Sequence, residues 1–330
     1  MHRLTCLCWS SAAFLCAATA LAQPPRGAPL GAGGRNLPDS IKIERDINYA
    51  GTNNPKQVLD LLLPKTPKGD KPLPVVVGIH GGAWSGGDRI GEMHNIVPLV
   101  ASGDYAGVTI EYRLSGEATW PAQIFDCKAA IRWVRANAAK YHLDPERIGV
   151  VGGSAGGHLV AMLGASGGVE SLEGDVGPNK GLSSRVQCVV DEFGPSDFLT
   201  IGDYPSQLKH NAANSPESKL IGGALLDHKE QARAASPITY VAAGDPPFLI
   251  IHGDADPVVP FNQSERLQAA LKKAGVESIL IAVTGAGHGG FRNPEVDHRI
   301  RQFFDKHLRG QEVTISAEPI PQTPAKPAHQ

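Results

Sequence analysis

An α/β architecture, with a mostly parallel central sheet flanked by helices, is the fold class that this sequence predicts. Short apolar runs alternate with longer segments of helical character along the chain, and several of the short runs are apolar at every position. Continuous apolar runs are typical of parallel strands, which are buried on both faces. Strands that alternate with helices of ten or more residues form right-handed crossovers within one sheet.

The first two strands are expected at Ile41–Ala50 and Gln57–Leu63, as an antiparallel pair at one edge of the sheet. The buried strands that follow are expected at Pro74–Ile79, Ala106–Ile110, Ile148–Val151, Val186–Val190, Phe248–Ile251 and Ser278–Val283. The expected helices are Pro121–Tyr141, Ala155–Leu163, Gln263–Ala274 and Glu295–Leu308. Residues 195–246 break this alternation with many polar and turn residues, which indicates a small insertion over the C-terminal edge of the sheet.

The two ends of the chain differ in composition from the body. Residues 1–22 resemble a secretory signal, with Arg3 before an apolar stretch and a small-x-small cleavage site at Ala20–Ala22. Residues 23–40 are rich in proline and glycine and are expected to be a flexible linker, and the proline-rich residues 311–330 are expected to be a disordered tail. The folded domain at 41–310 is therefore expected to be secreted or periplasmic. The alternative is an uncleaved membrane anchor.

Composition excludes several classes of protein. The 330 residues are 42% hydrophobic and 19% charged, which allows a large core, and the net charge of −2 gives no basic excess for nucleic-acid binding. No apolar run of membrane-spanning length follows the signal, so no integral membrane segment is expected after cleavage. Cys127 and Cys188 would remain in the mature chain, either as a disulfide or as two buried thiols.

A G-x-S-x-G pattern at Gly152–Gly156 follows the strand Ile148–Val151 directly and precedes a helix. A sharp strand-to-helix turn presents the Ser154 hydroxyl above the C-terminal edge of the sheet, and the helix N-terminus directs free N–H groups at developing negative charge. Ser154 is therefore the candidate nucleophile. A phosphate-binding loop is excluded because no G-x-G-x-x-G fits at this position and no Gly-Lys pair occurs.

The loops after two later strands contain a candidate acid and a candidate base. His288 lies in the glycine loop 285–290 after the last predicted strand, from which an imidazole can reach Ser154 across the top of the sheet. Asp254 and Asp256 both follow the strand Phe248–Ile251, and Asp256 is favoured because it precedes a proline at the outer turn of its loop. In such a triad the imidazole removes the serine proton and the carboxylate fixes the imidazole tautomer.

Metal and cofactor sites are not expected. The D-x-D at 254–256 does not continue as a calcium loop, because Val258 and Val259 occupy its next positions in place of a ligand and a glycine. Neither H-E-x-x-H nor C-x-x-C occurs, which disfavours a zinc hydrolase.

The segment His80–Trp84, HGGAW, follows the strand Pro74–Ile79. In an acyl-transfer enzyme of this architecture, such a loop and the residue after the nucleophile donate backbone N–H groups to an oxyanion. The candidate donors are the N–H groups of Gly82, Ala83 and Ala155. His80 is expected to brace this loop. The Trp84 side chain either walls a substrate-binding pocket or packs beneath the loop.

The chain order Ser154, Asp256, His288 is that of the α/β-hydrolase superfamily, which the sequence resembles over roughly 41–310. More narrowly, it is similar to the secreted bifunctional acetylxylan and feruloyl esterases and to hormone-sensitive-lipase-like esterases. The matching segments are HGGAW (80–84), YRLSGEATWPAQIFDCKAAIRWVRANA (112–138), GGSAGGHL (152–159), DEFGPSD (191–197), HGDADPVVP (252–260) and GAGHGG (285–290). Ala83 departs from the third glycine of many lipase-like members, which argues against esters of bulky tertiary alcohols.

The resemblance implies a secreted serine carboxylic-ester hydrolase that forms an acyl-enzyme on Ser154 and needs no cofactor. The implied substrate is a small ester or an acylated carbohydrate, with acetyl or feruloyl groups. One alternative is an amide hydrolase of the same fold, either a prolyl-oligopeptidase-like peptidase or an arylformamidase. Another is a binding module on an inactive hydrolase fold, although such proteins typically lose a triad residue and this chain has lost none.

Overall fold

A computed structural model describes residues 37–323. The predicted signal and all but the last four residues of the predicted linker lie outside the described residues. Across the described range, no helix combines the length and the apolar character that a membrane crossing requires.

The described strands form one nine-stranded sheet in the order β1-β2-β4-β3-β5-β6-β7-β8-β9. Strands β1 and β2 are antiparallel to their neighbours, as expected for the first edge, and the pairs from β4 to β9 are parallel. The strand bounds are β1 Ile41–Asn48, β2 Val58–Pro64, β3 Leu73–Ile79, β4 Ala106–Ile110, β5 Leu143–Gly153, β6 Cys188–Glu192, β7 Phe248–Gly253, β8 Ser278–Thr284 and β9 Ile320–Pro321.

Helices cover both faces of this sheet. Their bounds are α1 Met93–Ala101, α2 Ala122–Ala136, α3 Ala138–Tyr141, α4 Ala155–Ala165, α5 Pro216–Ile221, α6 Lys229–Ala234, α7 Asn262–Lys273 and α8 Pro294–Arg309. Successive residues of β3 belong in turn to one and the other of two apolar clusters, because successive side chains of a strand point to opposite faces of the sheet. Helices α2, α4 and α7 pack in one cluster and α1 and α8 in the other. The short helices α5 and α6 lie in the segment between β6 and β7.

The two cysteines are free and buried, which decides between the alternatives left open by the sequence. Cys127 on α2 belongs to one apolar cluster and Cys188 on β6 to the other, so the sheet lies between them. Burial raises the pKa of both thiols well above the ordinary value. Both are therefore packing residues in an apolar interior.

Two helical segments differ from expectation. Helix α1 has no counterpart among the expected helices, and it continues through Pro98, a residue type that commonly breaks a helix. The helix expected over Pro121–Tyr141 is divided at Asn137, between α2 and α3. The Asn137 side-chain amide donates to the Trp133 carbonyl oxygen at 2.9 Å. Asparagine commonly bonds to nearby backbone in this way, which favours helix ends over helix interiors.

The expectation of a disordered tail is wrong for residues 311–323, which pack on the domain. Strand β9 pairs with the end of β8, and Ile320 is buried. The Gln322 N–H donates to the Thr284 carbonyl oxygen at 3.0 Å, and the Asn293 amide donates to the Pro321 carbonyl oxygen at 2.9 Å. Proline is compatible with such a position because an edge strand can leave one side of its backbone unpaired. Residues 324–330 lie outside the described range.

Candidate active site

Ser154 lies at the turn between β5 and α4, with φ 57° and ψ −120°. This φ is unfavourable for a residue with a Cβ, so the surrounding structure must hold the turn. The Ser154 N–H donates to the Glu192 carbonyl oxygen at 2.9 Å, which ties the turn to the end of β6. A Cβ at Gly156 would lie 2.0 Å from the Ile79 carbonyl oxygen, so only glycine allows α4 to approach β3 this closely.

The structure brings together the three residues that the sequence predicts as nucleophile, base and acid. His288 Nε2 lies 2.9 Å from Ser154 Oγ, and His288 Nδ1 lies 2.7 Å from Asp256 Oδ2. Parallel strands β5, β7 and β8 end at the same edge of the sheet, and the three residues follow these ends. A hydrogen-bonded chain from hydroxyl to imidazole to carboxylate therefore spans three loops.

The geometry decides between the two aspartates of the loop after β7. Asp254 is exposed, and its Oδ1 accepts the Gly285 N–H at 2.7 Å. This bond supports the beginning of the loop that contains His288. Asp256 alone of the two contacts the imidazole, as the sequence interpretation favoured.

The Asp256 carboxylate accepts four N–H groups. Its Oδ1 accepts the backbone N–H of Val258 at 2.7 Å and of Val259 at 3.0 Å, and its Oδ2 faces His288 and His252. Burial by itself raises the pKa of Asp256, but hydrogen bonds and charge from the two histidines outweigh it and hold the pKa well below its usual range. Asp256 is therefore ionised wherever the fold is intact at ordinary pH.

The loop after β3 has left-handed backbone at three consecutive residues, with φ of 113° at Gly82, 54° at Ala83 and 53° at Trp84. It lies against the Ser154 turn, because a Cβ at Gly81 would be 2.7 Å from the Gly153 carbonyl oxygen. The Ala155 N–H belongs to the first turn of α4, whose N–H groups have no partner within the helix. The loop and the helix end thus flank Ser154, and the role of Gly82, Ala83 and Ala155 as oxyanion donors stays a prediction.

His80 is buried and supports this loop. Its ring stacks on Tyr112 with centroids 4.3 Å apart, and the Tyr112 hydroxyl donates to the His80 carbonyl oxygen at 2.9 Å. Burial lowers the pKa of His80. These contacts fit the bracing role expected from the sequence.

Trp84 packs beneath the loop and does not offer a face to substrate. It is 2% exposed, its ring meets Phe198 edge to face, and its indole N–H donates to His158 Nδ1 at 3.1 Å. His158 Nε2 in turn donates to the Ala235 carbonyl oxygen at 2.6 Å, and burial lowers the pKa of His158 to about 4, which keeps its Nδ1 free to accept. The assignment of Trp84 to substrate binding is therefore wrong, and the packing alternative is the one that the structure supports.

A buried acidic cluster behind the Ser154 turn was not anticipated from the sequence. The Asn95 amide donates to Glu92 at 3.2 Å and to Glu192 at 2.8 Å. Burial raises the pKa of Glu92 to about 7, and it also raises the pKa of Glu192. Glu92 follows no catalytic pattern, and an acidic residue before a helix is an ordinary feature of sequences, so no local signal identified it.

Glu92→Gln is expected to change how stability depends on pH. The unfolded chain ionises this carboxyl near pH 4.5, whereas the folded state holds the proton up to about pH 7. The Glu92 carboxyl therefore lowers the stability of the wild type as the pH rises through this window, by on the order of 1–3 kcal/mol, and this contribution is absent from the variant. Urea unfolding at pH 4.5 and pH 8 measures this loss. The variant should gain relative to wild type at pH 8 only.

The matched control for that measurement is Glu312→Gln, which changes an exposed glutamate. It should leave the free energy of unfolding unchanged at both pH values. If Glu92→Gln shifted stability by the same amount at pH 4.5 and pH 8, folding would not raise the pKa of this carboxyl.

Within residues 37–323, no three or more His, Cys, Asp or Glu side chains are arranged to hold a metal ion. The side chains of Ser154, His288 and Asp256 are arranged so that they can activate a hydroxyl and stabilise the resulting imidazolium.

The sequence model of the BD-FAE family matches residues 59–271, which is more than half of the chain. The chain belongs to the BD-FAE family. This member of the family is 31% identical over 260 residues to Esterase LipC of Mycobacterium tuberculosis, in a match that covers 77% of this chain and 63% of the relative. The chain thus spans about three fifths of the length of that curated relative.

Two solved structures extend the comparison of the BD-FAE chain. A truncated carbohydrate esterase from gut microbiota superimposes with a TM-score of 0.76 at 37% identity, covering 81% of this chain and 96% of that one. A bifunctional GH43-CE protein from Bacteroides eggerthii gives a TM-score of 0.74 at 38% identity, covering 83% of this chain and 36% of that one. The expected α/β-hydrolase fold and the resemblance to its esterase group are confirmed.

Sequence reasoning missed two aromatic residues that contact the hydrogen-bonded chain. Phe193 follows β6 with φ 47°, and its ring meets the His288 ring edge to face at 4.9 Å. His252 at the end of β7 contacts Asp256. Both lie in the segments DEFGPSD and HGDADPVVP, which were matched as sequence but given no chemical role. A histidine at the end of an apolar strand, four residues before the acid, is the signal that could have identified the second.

Proposed function

We propose that this protein is a carboxylic-ester hydrolase that acts through an acyl-enzyme on Ser154. The observation that carries the proposal is the hydrogen-bonded chain from Ser154 through His288 to Asp256 at the C-terminal edge of the sheet. The family and the esterases among its relatives support the same activity.

In the acylation step, His288 Nε2 accepts the Ser154 proton while Oγ attacks the ester carbonyl carbon. The carbonyl electrons move to oxygen, and the backbone N–H groups of Ala155 and of Gly82 or Ala83 stabilise that oxyanion. Collapse of the intermediate expels the alcohol, which takes the proton from the imidazolium. A water molecule then repeats the sequence on the acyl-enzyme and releases the acid.

Asp256 serves both halves of this cycle. Its Oδ2 accepts the Nδ1–H of His288, which leaves Nε2 unprotonated and directed at Ser154 Oγ. When the imidazole becomes charged, the ionised carboxylate stabilises it in a site where solvent screening is weak.

The proposed substrates are acetyl or feruloyl esters of carbohydrate. This part of the proposal is supported by the two similar structures, a carbohydrate esterase and a GH43-CE protein. We propose in addition that the protein is secreted or periplasmic, on the pattern of residues 1–22. N-terminal sequencing of protein recovered from periplasm or medium tests the export, and a chain that begins at Gln23 is expected.

A substrate panel tests the activity and its chemical class. We expect hydrolysis of p-nitrophenyl acetate, methyl ferulate and acetylated xylan, and much slower hydrolysis of the matched p-nitroanilides, because amides have a poorer leaving group. The measurement is kcat/KM for each compound with wild type and with Ser154→Ala. Faster turnover of the anilides than of the esters would favour the amide hydrolase. Turnover that survives the substitution would exclude Ser154 as nucleophile.

A further inference from the structure

His252 places a second imidazole on the carboxylate that orients His288. It lies near the end of β7 and is fully buried. Its Nε2 lies 3.1 Å from Asp256 Oδ2 and 3.0 Å from the Val259 carbonyl oxygen, and its Nδ1 lies 2.7 Å from Ser264 Oγ. Both ring nitrogens are therefore engaged.

The partners determine where the His252 proton lies. An ionised carboxylate and a carbonyl oxygen only accept, so Nε2 must carry the hydrogen that points at them. The Ser264 hydroxyl can donate to or accept from Nδ1, and it holds the other side of the ring. His252 therefore cannot replace His288 as the base, because its Nε2 is directed at Asp256 while His288 contacts Ser154.

The same carboxylate oxygen thus receives two N–H donors, one from each imidazole. Asp256 Oδ1 is held by the backbone N–H groups of Val258 and Val259, and Oδ2 is held by His252 on one side, so the direction of the carboxylate toward His288 is fixed. The Phe193 ring meets both imidazoles edge to face, at 4.9 Å from His288 and 6.3 Å from His252. Phe193 therefore restricts the movement of the two rings.

We propose that His252 is a positioning residue for the hydrolytic reaction, acting through Asp256 on His288. The inference rests on the proposed function. In it, the buried N–H of His252 fixes Asp256 Oδ2 at the distance and direction that His288 Nδ1 requires. This N–H also interacts with part of the negative charge of the carboxylate. Asp256 therefore stabilises the imidazolium of His288 less strongly than it would without His252.

His252→Phe tests this role because phenylalanine keeps the buried ring and removes the N–H. The expected result is a kcat lower by roughly 10–100-fold, since a hydrogen bond to a charged group is lost, with KM changed less than about threefold. The acidic limb of the pH profile of kcat/KM should move to higher pH. The carboxylate then interacts with His288 alone, which holds the imidazolium more strongly and makes its proton harder to remove.

Within residues 37–323, His252 and His288 are the two side chains that hydrogen-bond to the Asp256 carboxylate. A role in packing alone would lower the amount of folded enzyme and leave the acidic limb in place. His252→Gln is the conservative variant, because its amide N–H reaches about as far as Nε2, and it should restore most of the kcat and return the limb toward wild type.

The remaining variants keep the test decisive. His307→Phe, in α8 and away from Asp256, is the matched control and should leave both kcat and the pH profile unchanged. If His252→Phe fails to fold by circular dichroism, Ser264→Ala decides: it frees His252 Nδ1 and should move the limb in the same direction by a smaller amount. An unmoved limb and unchanged kcat in the folded variant would overturn the inference. Absence of ester hydrolysis by wild type would instead overturn the proposed function.

Discussion

Ser154→Ala and His288→Ala are each expected to reduce the kcat for p-nitrophenyl acetate by roughly 10⁴–10⁶-fold. Without Oγ there is no nucleophile, and without the imidazole the hydroxyl keeps its proton. The two atoms are 2.9 Å apart and act in one step. The double variant should therefore be about as active as either single variant, and the effects should not multiply.

The measurement is the steady-state kcat for p-nitrophenyl acetate of the two single variants and the double variant. Ser183→Ala, in an exposed loop before β6, and His298→Ala, exposed on α8, are the matched controls and should retain full activity. Circular dichroism should show that all variants are folded. A double variant far less active than both single variants would mean that the two residues act in separate steps.

Asp256→Asn is expected to reduce kcat by about 10⁴-fold while the protein folds normally. The asparagine amide can present N–H to His288 Nδ1, which favours the tautomer with the proton on Nε2, facing Ser154. That tautomer cannot accept the serine proton. The carboxylate charge that stabilises the imidazolium is lost as well.

Asp254→Asn is the matched control for this second prediction, since it makes the same change two residues away. Its carboxylate only accepts the Gly285 N–H, and an asparagine oxygen can do the same. We expect kcat within a few-fold of wild type. The measurement is kcat and KM for the two variants at pH 8. A larger loss of kcat in Asp254→Asn than in Asp256→Asn would mean that Asp254, and not Asp256, orients His288.

The position of Ser154 and His288 could be predicted because it depends on topology. Parallel strands end at one edge of a sheet, so residues that follow β5 and β8 meet there whatever the rest of the sequence does. The glycines around each residue mark sharp turns and close approaches, which a sequence displays directly. The alternation of apolar runs and helices likewise determined the sheet and its antiparallel first edge.

The features that could not be predicted depend on packing between distant segments. Trp84 is an aromatic residue beside a functional loop, and only its contacts with His158 and Phe198 show that it faces inward. His252 follows an apolar strand four residues before the acid, but only its contact with Asp256 shows what it does there. The sequence favoured Asp256 over Asp254, but not the hydrogen bonds from Val258 and Val259 that hold its carboxylate within the turn.

Strand β9 pairs with the end of β8 and so covers the backbone at this edge of the sheet. Without residues 311–323, the end of β8 would present unpaired backbone N–H and C=O groups, and such an edge is a template for pairing with a strand of another molecule. The pairing of Ile320 with Val283 and the bond from Gln322 to Thr284 occupy these groups within the same chain. Protection from intermolecular aggregation at this edge is thus built into the chain itself, directly beside the loop that contains His288.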